Sequence, residues 1–550
     1  MTSSPAEETA RAIRRAPPAG DPAPARGLLR ERELWWVLAA LAGFFAVTIW
    51  WLTQDRRMPD FDYGLHTVQS FAAHDDLAAG DWTGPFERFN TYPPLGHLVG
   101  GVGTFVLGVH PWTMVVTQHL VFLPLLAVSC YGVGRLAYGP LGGLLAAIFA
   151  LGTPIVVSEM REFYLDVPQA AMVAACVWAL LASRRFQIVR LAALAGVLAG
   201  LALLTKQTSA FFLAGPVLVV LARGGWRAWR GALAFGVALL VVALPWYVYH
   251  LSDLQAYARV QGALDDGLGN QPGGQYPSLD SAKNAFWYFW DFVNQQARAP
   301  LALAFGVGLV LAVRASVRDR SPANVRPELL GGVAFSYVAM SLVHHKDIRY
   351  TLPALVFVAV IGAGWIAEVH GRRLRVALAA LLVAVCVANF VGVSTGLGTE
   401  IKIALPGACA TCPSPLHERY LRIFATDGWL RAKPARGGDV LGLLRGLRRL
   451  GYEEVAFDGP AANSPDFNGS GIEAIARIAG LRVLPLGNLA VPPGAVYLRR
   501  RYPEPGAQAA CRRLDDGSSV YVILHDASLP PDRLTLVCPG REPAIYGPRR

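Results

Sequence analysis

Four short stretches of this sequence hold side chains able to do chemistry, and each borders an apolar run. The first is Asp60-Phe61-Asp62-Tyr63, directly after the first such run. A carboxylate held there can act as general base on a hydroxyl or bind a cation, although two solvated loop aspartates would read the same way. Tyr92-Pro93-Pro94-Leu95 follows, and its paired prolines suit a rigid helix start. The second stretch, Ser158 to Pro168, sets Glu159, Arg161, Glu162 and Asp166 at the mouth of another run. Charge is costly there and marks function, while Asp166, two residues before Pro168, also suits a helix cap. Lys206 in Leu204-Thr205-Lys206-Gln207-Thr208 is the third, and His344-His345-Lys346-Asp347-Ile348-Arg349-Tyr350 the fourth. Lysine and arginine converging on one membrane face suit a lipid phosphate or pyrophosphate; taken singly, each also fits a snorkelling side chain. Glu162, Tyr63, His66, Tyr92 and Tyr350 are the candidate substrate contacts, and His344 and His345 are weak candidates to hold a metal with Asp60 or Asp62.

The elements that must position these residues are membrane helices. Of 550 residues, 53% are hydrophobic and only 16% charged, where a soluble chain carries roughly 25% charged. A soluble cytoplasmic enzyme is therefore excluded. The net charge of +11 would suit nucleic acid, but the Lys and Arg residues cluster between apolar runs, which gives them to the positive-inside rule and leaves no nucleic-acid partner expected. The run Trp35 to Leu52 reads as an uncleaved first span behind a cytoplasmic, Ala-, Pro- and Arg-rich segment 1–34. Further runs lie near 94–109, 113–131, 137–152, 167–182, 188–204, 208–222, 231–249, 299–314, 329–343, 350–367 and 375–393. Arg184 with Arg185, Arg223 with Arg227 and Arg230, Arg314 through Arg326, and Arg372 to Arg375 recur after every second later run, as cytoplasmic loops do. Placing Arg135 on that side requires the Gly-rich 94–109 to be a juxtamembrane or re-entrant helix. The expectation is then eleven spans, N-terminus inside and C-terminus outside; twelve would put the tail in the cytoplasm. Trp246, Tyr247, Trp287, Tyr288 and Trp290 read as an interfacial belt. The outer loop 250–298, with Asp265, Asp266 and Tyr276, is placed to cover or admit substrate.

From about residue 398 the composition changes, and helix-like pieces alternate with strand-like ones, for example Leu441 to Leu450 followed by Glu454 to Phe457. A small extracytoplasmic α/β domain over 398–550 is expected. It holds Cys409, Cys412, Cys511 and Cys538, which read first as possible disulfides if the tail is outside, and second as a metal site or free thiols.

Taken in order, these motifs resemble the integral-membrane glycosyltransferases of the GT-C superfamily, in particular the dolichyl-phosphate-mannose protein mannosyltransferase and aminoarabinose transferase branch. The resemblance rests on Asp60-Phe61-Asp62-Tyr63, Tyr92 to Leu95, Arg161 to Pro168, Leu204-Thr205-Lys206, and Lys346 through Pro353, spanning residues 35–393. It implies a GT-C fold, here an α-helical polytopic chain of about eleven transmembrane helices: a membrane domain over 35–397, with outer loops 54–112 and 250–298, ahead of the tail. It also implies transfer of a sugar from a polyprenyl-phosphate carrier to a glycan, lipid or protein hydroxyl at the non-cytoplasmic face of a bacterial inner membrane, commonly with inversion. By the same mapping Asp62 matches the catalytic acid of the first loop and Asp166 the second acidic motif. Lys206, Lys346, Arg349 and Arg161 match positions facing donor phosphate. The family's first motif is commonly Asp-Glu, whereas here Tyr63 follows Asp62, so the base stays open among Asp62, Asp60 and Asp166, and a divalent metal stays open too. No cofactor is required, because the donor is already activated. The other class with many spans and internal charges is a transporter or flippase for a lipid or anionic solute, which should show inverted halves that this sequence does not display.

Overall fold

In this computed structural model the described residues are 31–55, 59–89, 91–259, 279, 281–397, 401–405, 420–424, 440–449, 453–457, 463–464, 467–484, 496–499, 521–524, 534–537 and 544–546. Residues 1–30, Asn90, Asp265, Asp266, Tyr276 and the four tail cysteines lie outside them, and with them the disulfide expectation. The helices run in order α1 Arg32–Gln54, α2 Phe61–Ala78, α3 Gly84–Arg88, α4 Leu95–Leu107, α5 Thr113–Gly152, α6 Pro154–Glu159, α7 Asp166–Ala182, α8 Val189–Leu203 and α9 Ser209–Gly224. They continue with α10 Trp229–Tyr249, α11 Ala282–Asp291, α12 Arg298–Arg318, α13 Arg326–Ser341, α14 Leu355–Gly364 and α15 Arg372–Thr395, followed in the tail by α16 Val440–Arg449 and α17 Gly469–Ile478.

Among the described residues, five helices are long and apolar enough to cross a membrane: α1, α5, α10 with its preceding turn from Trp226, α12 and α15. The chain is thus a polytopic membrane protein, but the eleven spans expected from the sequence are corrected to five. The apolar helices Leu95–Leu107, α7, α8, α9 and Leu352–Glu368 hold 10–17 residues each. At about 1.5 Å of rise per residue even the longest reaches only about 26 Å, short of the ~30 Å hydrocarbon core. Two of these runs are apolar because protein surrounds them. In α14 Val356, Phe357, Ala359, Val360 and Ile361 are fully buried, as are Val173, Ala174, Cys176 and Val177 of α7. A helix hydrophobic all round sits in a core as readily as in lipid, and hydropathy does not separate the two. Lipid-facing surface is carried instead by residues such as Leu233, Val237 and Val241 on α10 and Leu303, Val310 and Val317 on α12. The expected aromatic belt is likewise only partly there, since Trp246 and Trp287 are buried and the Trp246 indole donates to the Phe89 carbonyl at 3.0 Å.

Specific residues end the short helices. α7 stops because Arg184, Arg185 and Phe186 all turn left-handed, with φ of 51°, 58° and 65°. That conformation is unfavourable for side-chain-bearing residues, and it is held by the burial of Phe186 and by Glu328, which accepts from Arg185 at 3.0 Å and Arg223 at 2.7 Å. In α5, Gly139 (φ 79°, ψ −178°) breaks the helical path and the chain doubles back. A side chain on Gly143 would put its Cβ 2.5 Å from the Tyr131 carbonyl oxygen, so the two arms lie against each other backbone to backbone. At the same end, Arg135 pairs with Glu31 at 2.5 Å, which ties this bend to the start of α1.

The tail's strands are β1 Ile401–Ala404, β2 Tyr420–Phe424, β3 Glu454–Phe457, β4 Asn463–Ser464, β5 Phe467–Asn468, β6 Arg482–Leu484, β7 Val496–Arg499, β8 Tyr521–Leu524, β9 Leu534–Val537 and β10 Ala544–Tyr546. β1 and β2 form an antiparallel ribbon, β4 and β5 a second one, and the rest an open mixed sheet in the order β10-β9-β8-β7-β3-β6. The expected small α/β domain is therefore corrected: among the described residues the sheet is not closed, and the tail spends part of its apolar surface on the membrane part. Ile478 of α17 packs into a cluster with Phe71, Met114, Phe163 and Tyr63.

The hairpin in α5 yields a direct test. Gly143→Val should lower thermal stability in detergent by about 1–3 kcal/mol, the usual cost of overpacking, whereas Gly236→Val, where nothing lies within 4 Å of a new Cβ, should leave the unfolding midpoint in place.

Candidate active site

Helix α2 starts the site. Asp60 is its N-cap, accepting from the Tyr63 amide at 3.2 Å, and its other oxygen accepts from the Tyr164 hydroxyl. Burial, opposed by these two hydrogen bonds, raises the Asp60 carboxyl above the usual carboxylate range. Asp62, one step into the first turn, keeps its side chain 36% exposed and pairs with Arg349, Nη2 to Oδ2, at 2.5 Å. The two aspartates that read alike in sequence therefore do different things.

Arg349 is delivered by the loop between α13 and α14. Its amide donates to Asp347 Oδ1 at 3.0 Å, its Nε lies 3.3 Å from Asp347 Oδ2, and its guanidinium stacks over the Tyr164 ring at 4.2 Å. Burial alone would discharge it, but Asp347, Asp166 and Glu159 hold it firmly charged. Beside it Lys206, in the turn from α8 to α9, lies 4.9 Å from the centre of the Tyr350 ring and pairs with Asp166 Oδ1 at 2.7 Å. Asp166 is the first residue of α7 and accepts from this lysine; its side chain makes no capping bond. The turn that carries Lys206 is stitched to the Pro93-Pro94 segment, because the Leu95 amide donates to the Leu204 carbonyl at 2.9 Å. Four separated motifs thus meet in two ion pairs, Asp62–Arg349 and Asp166–Lys206.

The remaining candidates divide. Tyr350 lies under Lys206, and Tyr92 packs edge-on against His66 at 5.0 Å. His66 is buried, with Nδ1 3.0 Å from His97 Nε2. The Tyr63 hydroxyl reaches the Pro111 carbonyl at 3.3 Å. The Glu162 carbonyl is held by Gln118, and its carboxylate acts on Glu159 and Tyr164. Two expected phosphate ligands are engaged elsewhere. Lys346 is buried and donates to the carbonyls of Met340 at 3.1 Å, Ser341 at 2.9 Å and Val343, closing the end of α13. Arg161 is buried against Ser394, the Val393 carbonyl and the Trp51 ring, where it joins the ends of α1 and α15. His344 and His345 do not assemble with Asp60 or Asp62 into a metal cluster: among the described residues no three His, Cys, Asp or Glu side chains do so.

Sequence reading missed several residues. Tyr164 bridges Asp60 and Arg349, and Asp347 orients Arg349; both stand inside motifs already singled out. Glu159 is buried close enough to Arg349 to feel its charge; its Oε2 has no hydrogen-bond partner, and burial pushes its carboxyl well up. Its signal was present in the acidic run. Gln296 gave none: from a π-turn over Phe292–Gln296 it donates to the Ile348 carbonyl at 2.7 Å, Thr351 Oγ1 at 2.8 Å and Asp291 Oδ2 at 2.6 Å, bracing the Arg349 loop. π-turns are rare and gather at functional sites.

The histidine pair makes a pH prediction. Burial, aided by Lys206 and Arg349, lowers His66 from 6.5 to about 3. Between those values the unfolded chain binds a proton that the folded chain refuses, so stability falls as pH drops from 6.5 toward about 3. His66→Gln should flatten that part of the plot of unfolding midpoint against pH; an unchanged slope would show that His66 titrates alike in both states.

Residues 91–249 match the family described as dolichyl-phosphate-mannose-protein mannosyltransferase. The crystal structure of ArnT from Cupriavidus metallidurans bound to undecaprenyl phosphate is similar in fold, with a TM-score of 0.56 at 15% identity over 90% of this chain and 98% of that one. The apo structure of the same protein gives 0.53, again at 15% identity, over 88% and 95%. No curated protein matches in sequence. The fold is therefore that of ArnT, and within it residues 91–249 are similar to the protein mannosyltransferase family.

Proposed function

We propose that this protein transfers a sugar from a polyprenyl-phosphate carrier to a hydroxyl acceptor at the non-cytoplasmic membrane face. The observation that carries this reading is the double ion pair: each cation suited to a phosphate, Arg349 and Lys206, is held by a carboxylate suited to an acceptor or sugar, Asp62 and Asp166. Two charges of each sign, partly shielded from water, match a reaction in which a proton leaves one substrate while negative charge gathers on the other. The acceptor oxygen attacks the anomeric carbon as Asp62 takes its proton. The bond from that carbon to the phosphate oxygen breaks, and its electron pair leaves with the phosphate, where Arg349 and Lys206 stabilise it. Attack opposite the leaving group inverts the anomeric centre.

The pairing also orders the events. With no donor bound, Arg349 neutralises Asp62, and a phosphate that draws Arg349 away frees the base. Asp166, released by Lys206 in the same way, orients sugar or acceptor. Topology agrees with a site on one face: Glu31 and Arg135 lie together at the start of α1, and Asp60 and Asp62 come just after its other end. In this reading segment 1–34 is cytoplasmic, and the tail beyond residue 397 stands on the side of the site.

The test uses purified protein in lipid and radiolabelled polyprenyl-phosphate sugars. Asp62→Asn should cut turnover by about 10²–10⁴-fold, the usual weight of a general base. It should also bind sugar-free polyprenyl phosphate more tightly, by up to about fivefold, because a competing ion pair worth ~1 kcal/mol is gone. Weaker binding would overturn the exchange of partners, and full turnover would remove Asp62 as base.

A further inference from the structure

The tail grips both halves of the Asp62–Arg349 pair. On one side α17 lies along α2, the helix whose first turn carries Asp62. A Cβ on Gly64, two residues past Asp62, would stand 2.5 Å from the Gly471 nitrogen, so the two helices touch through backbone at that turn. Further along, Arg477 donates to the Phe71 carbonyl at 3.0 Å, pairs with Asp75 and lies 5.2 Å from the centre of the Phe71 ring. The contacts run in step, Gly471 with Gly64 and Arg477 with Phe71, so the helices are parallel and α17 fixes the rotation of α2.

On the other side β2 reaches the π-turn that braces Arg349. The Arg422 amide donates to Asn294 Oδ1 at 3.0 Å, and its guanidinium lies 3.2 Å from Gln295 Oε1. The next residue, Gln296, holds the Ile348 carbonyl, one position before Arg349. Two residues past the turn, buried Arg298 opens α12 at φ 67°, a left-handed backbone seldom adopted by a residue with a side chain. Strained, π-distorted backbone of this kind persists only where its surroundings over-determine it, and here β2 is part of those surroundings.

We infer that the tail is a clamp on the catalytic pair, with Gly471 and Arg477 as positioning residues for Asp62, and Asn294 and Gln296 as positioning residues for Arg349. The word catalytic rests on the transfer reading above, but the clamp is a structural claim and can be tested without it. A pair that must open for phosphate and close afterwards needs its two carriers held in register. Two parts of the tail, α17 on one carrier and β2 on the other, do this, and an event in the tail would thereby reach the site.

The experiment is amide hydrogen exchange on the full chain in lipid, read by mass spectrometry over residues 60–75 and 344–351, alongside transfer kinetics and polyprenyl-phosphate binding. Arg477→Gln should speed exchange over 60–75 by about tenfold, as expected when a charge-assisted contact is lost from a local unit. Arg422→Ala and Asn294→Ala should do so over 344–351. Arg448→Gln, which breaks an exposed pair with Glu453 elsewhere in the tail, should change neither, and Arg477→Lys should restore most of the protection. Turnover should fall in Arg477→Gln while polyprenyl-phosphate affinity is not weakened, because Arg349 and Lys206 are untouched. Unchanged exchange over both site segments in all three variants overturns the clamp. If exchange responds but the wild-type protein transfers no sugar, the clamp stands and the transfer reading fails.

Discussion

The contact between Asp62 and Arg349 is the constraint around which the rest of this molecule is arranged. The two residues lie 287 positions apart in sequence. To bring them within 2.5 Å, the chain must fix the first turn of α2 and the loop after α13 against the same wall. That wall is α7 with its preceding segment, which supplies Tyr164 to Arg349 and Asp60, and Asp166 to Lys206. Partial burial gives the arrangement its strength: an ion pair in water is worth little, whereas removing one member of a buried pair leaves a charge without compensation.

Such a wall has to be rigid, which explains why several apolar helices are not membrane spans. α7 and α14 are buried nearly all round and are shorter than the bilayer is thick. Close packing makes them stiff, and their ends fall where charged loops are needed. Lys206 sits at the end of α8 and Arg349 just before α14, each at the mouth of a short helix. Of the long helices, α10 and α12 expose apolar rows such as Leu233, Val237 and Val241 or Leu303, Val310 and Val317, and they carry surface instead of chemistry.

The residues of the two ion pairs stood out in the sequence, whereas the number of spans did not. Asp62, Asp166, Lys206 and Arg349 announce themselves because ionised groups beside apolar runs need a reason to be there. Lys346 and Arg161 gave the same signal for a different reason. Lys346 satisfies three carbonyls at a helix end, and Arg161 joins two helix ends through Ser394 and Trp51. Residue type does not tell a cation that closes a helix from one that pairs with a carboxylate; only the partners do. The span count failed because hydropathy registers apolar surroundings without saying whether lipid or protein provides them. Gln296 was invisible because its value lies in a backbone distortion that no residue pattern encodes.

The same logic separates the two aspartates of the first loop. A general base needs a free lone pair, a route to the acceptor and a charge that survives at working pH. Asp60 spends one oxygen on the Tyr63 amide and the other on the Tyr164 hydroxyl, and burial pushes its carboxyl toward the neutral form. Those features make it a cap that sets the first turn of α2. Asp62 is more exposed, is held among the described residues by Arg349, and stands in the turn that Asp60 organises. Acidity in the loop is thus divided between a residue that builds the helix start and one that projects from it, so a substitution at Asp60 disturbs the turn that carries Asp62.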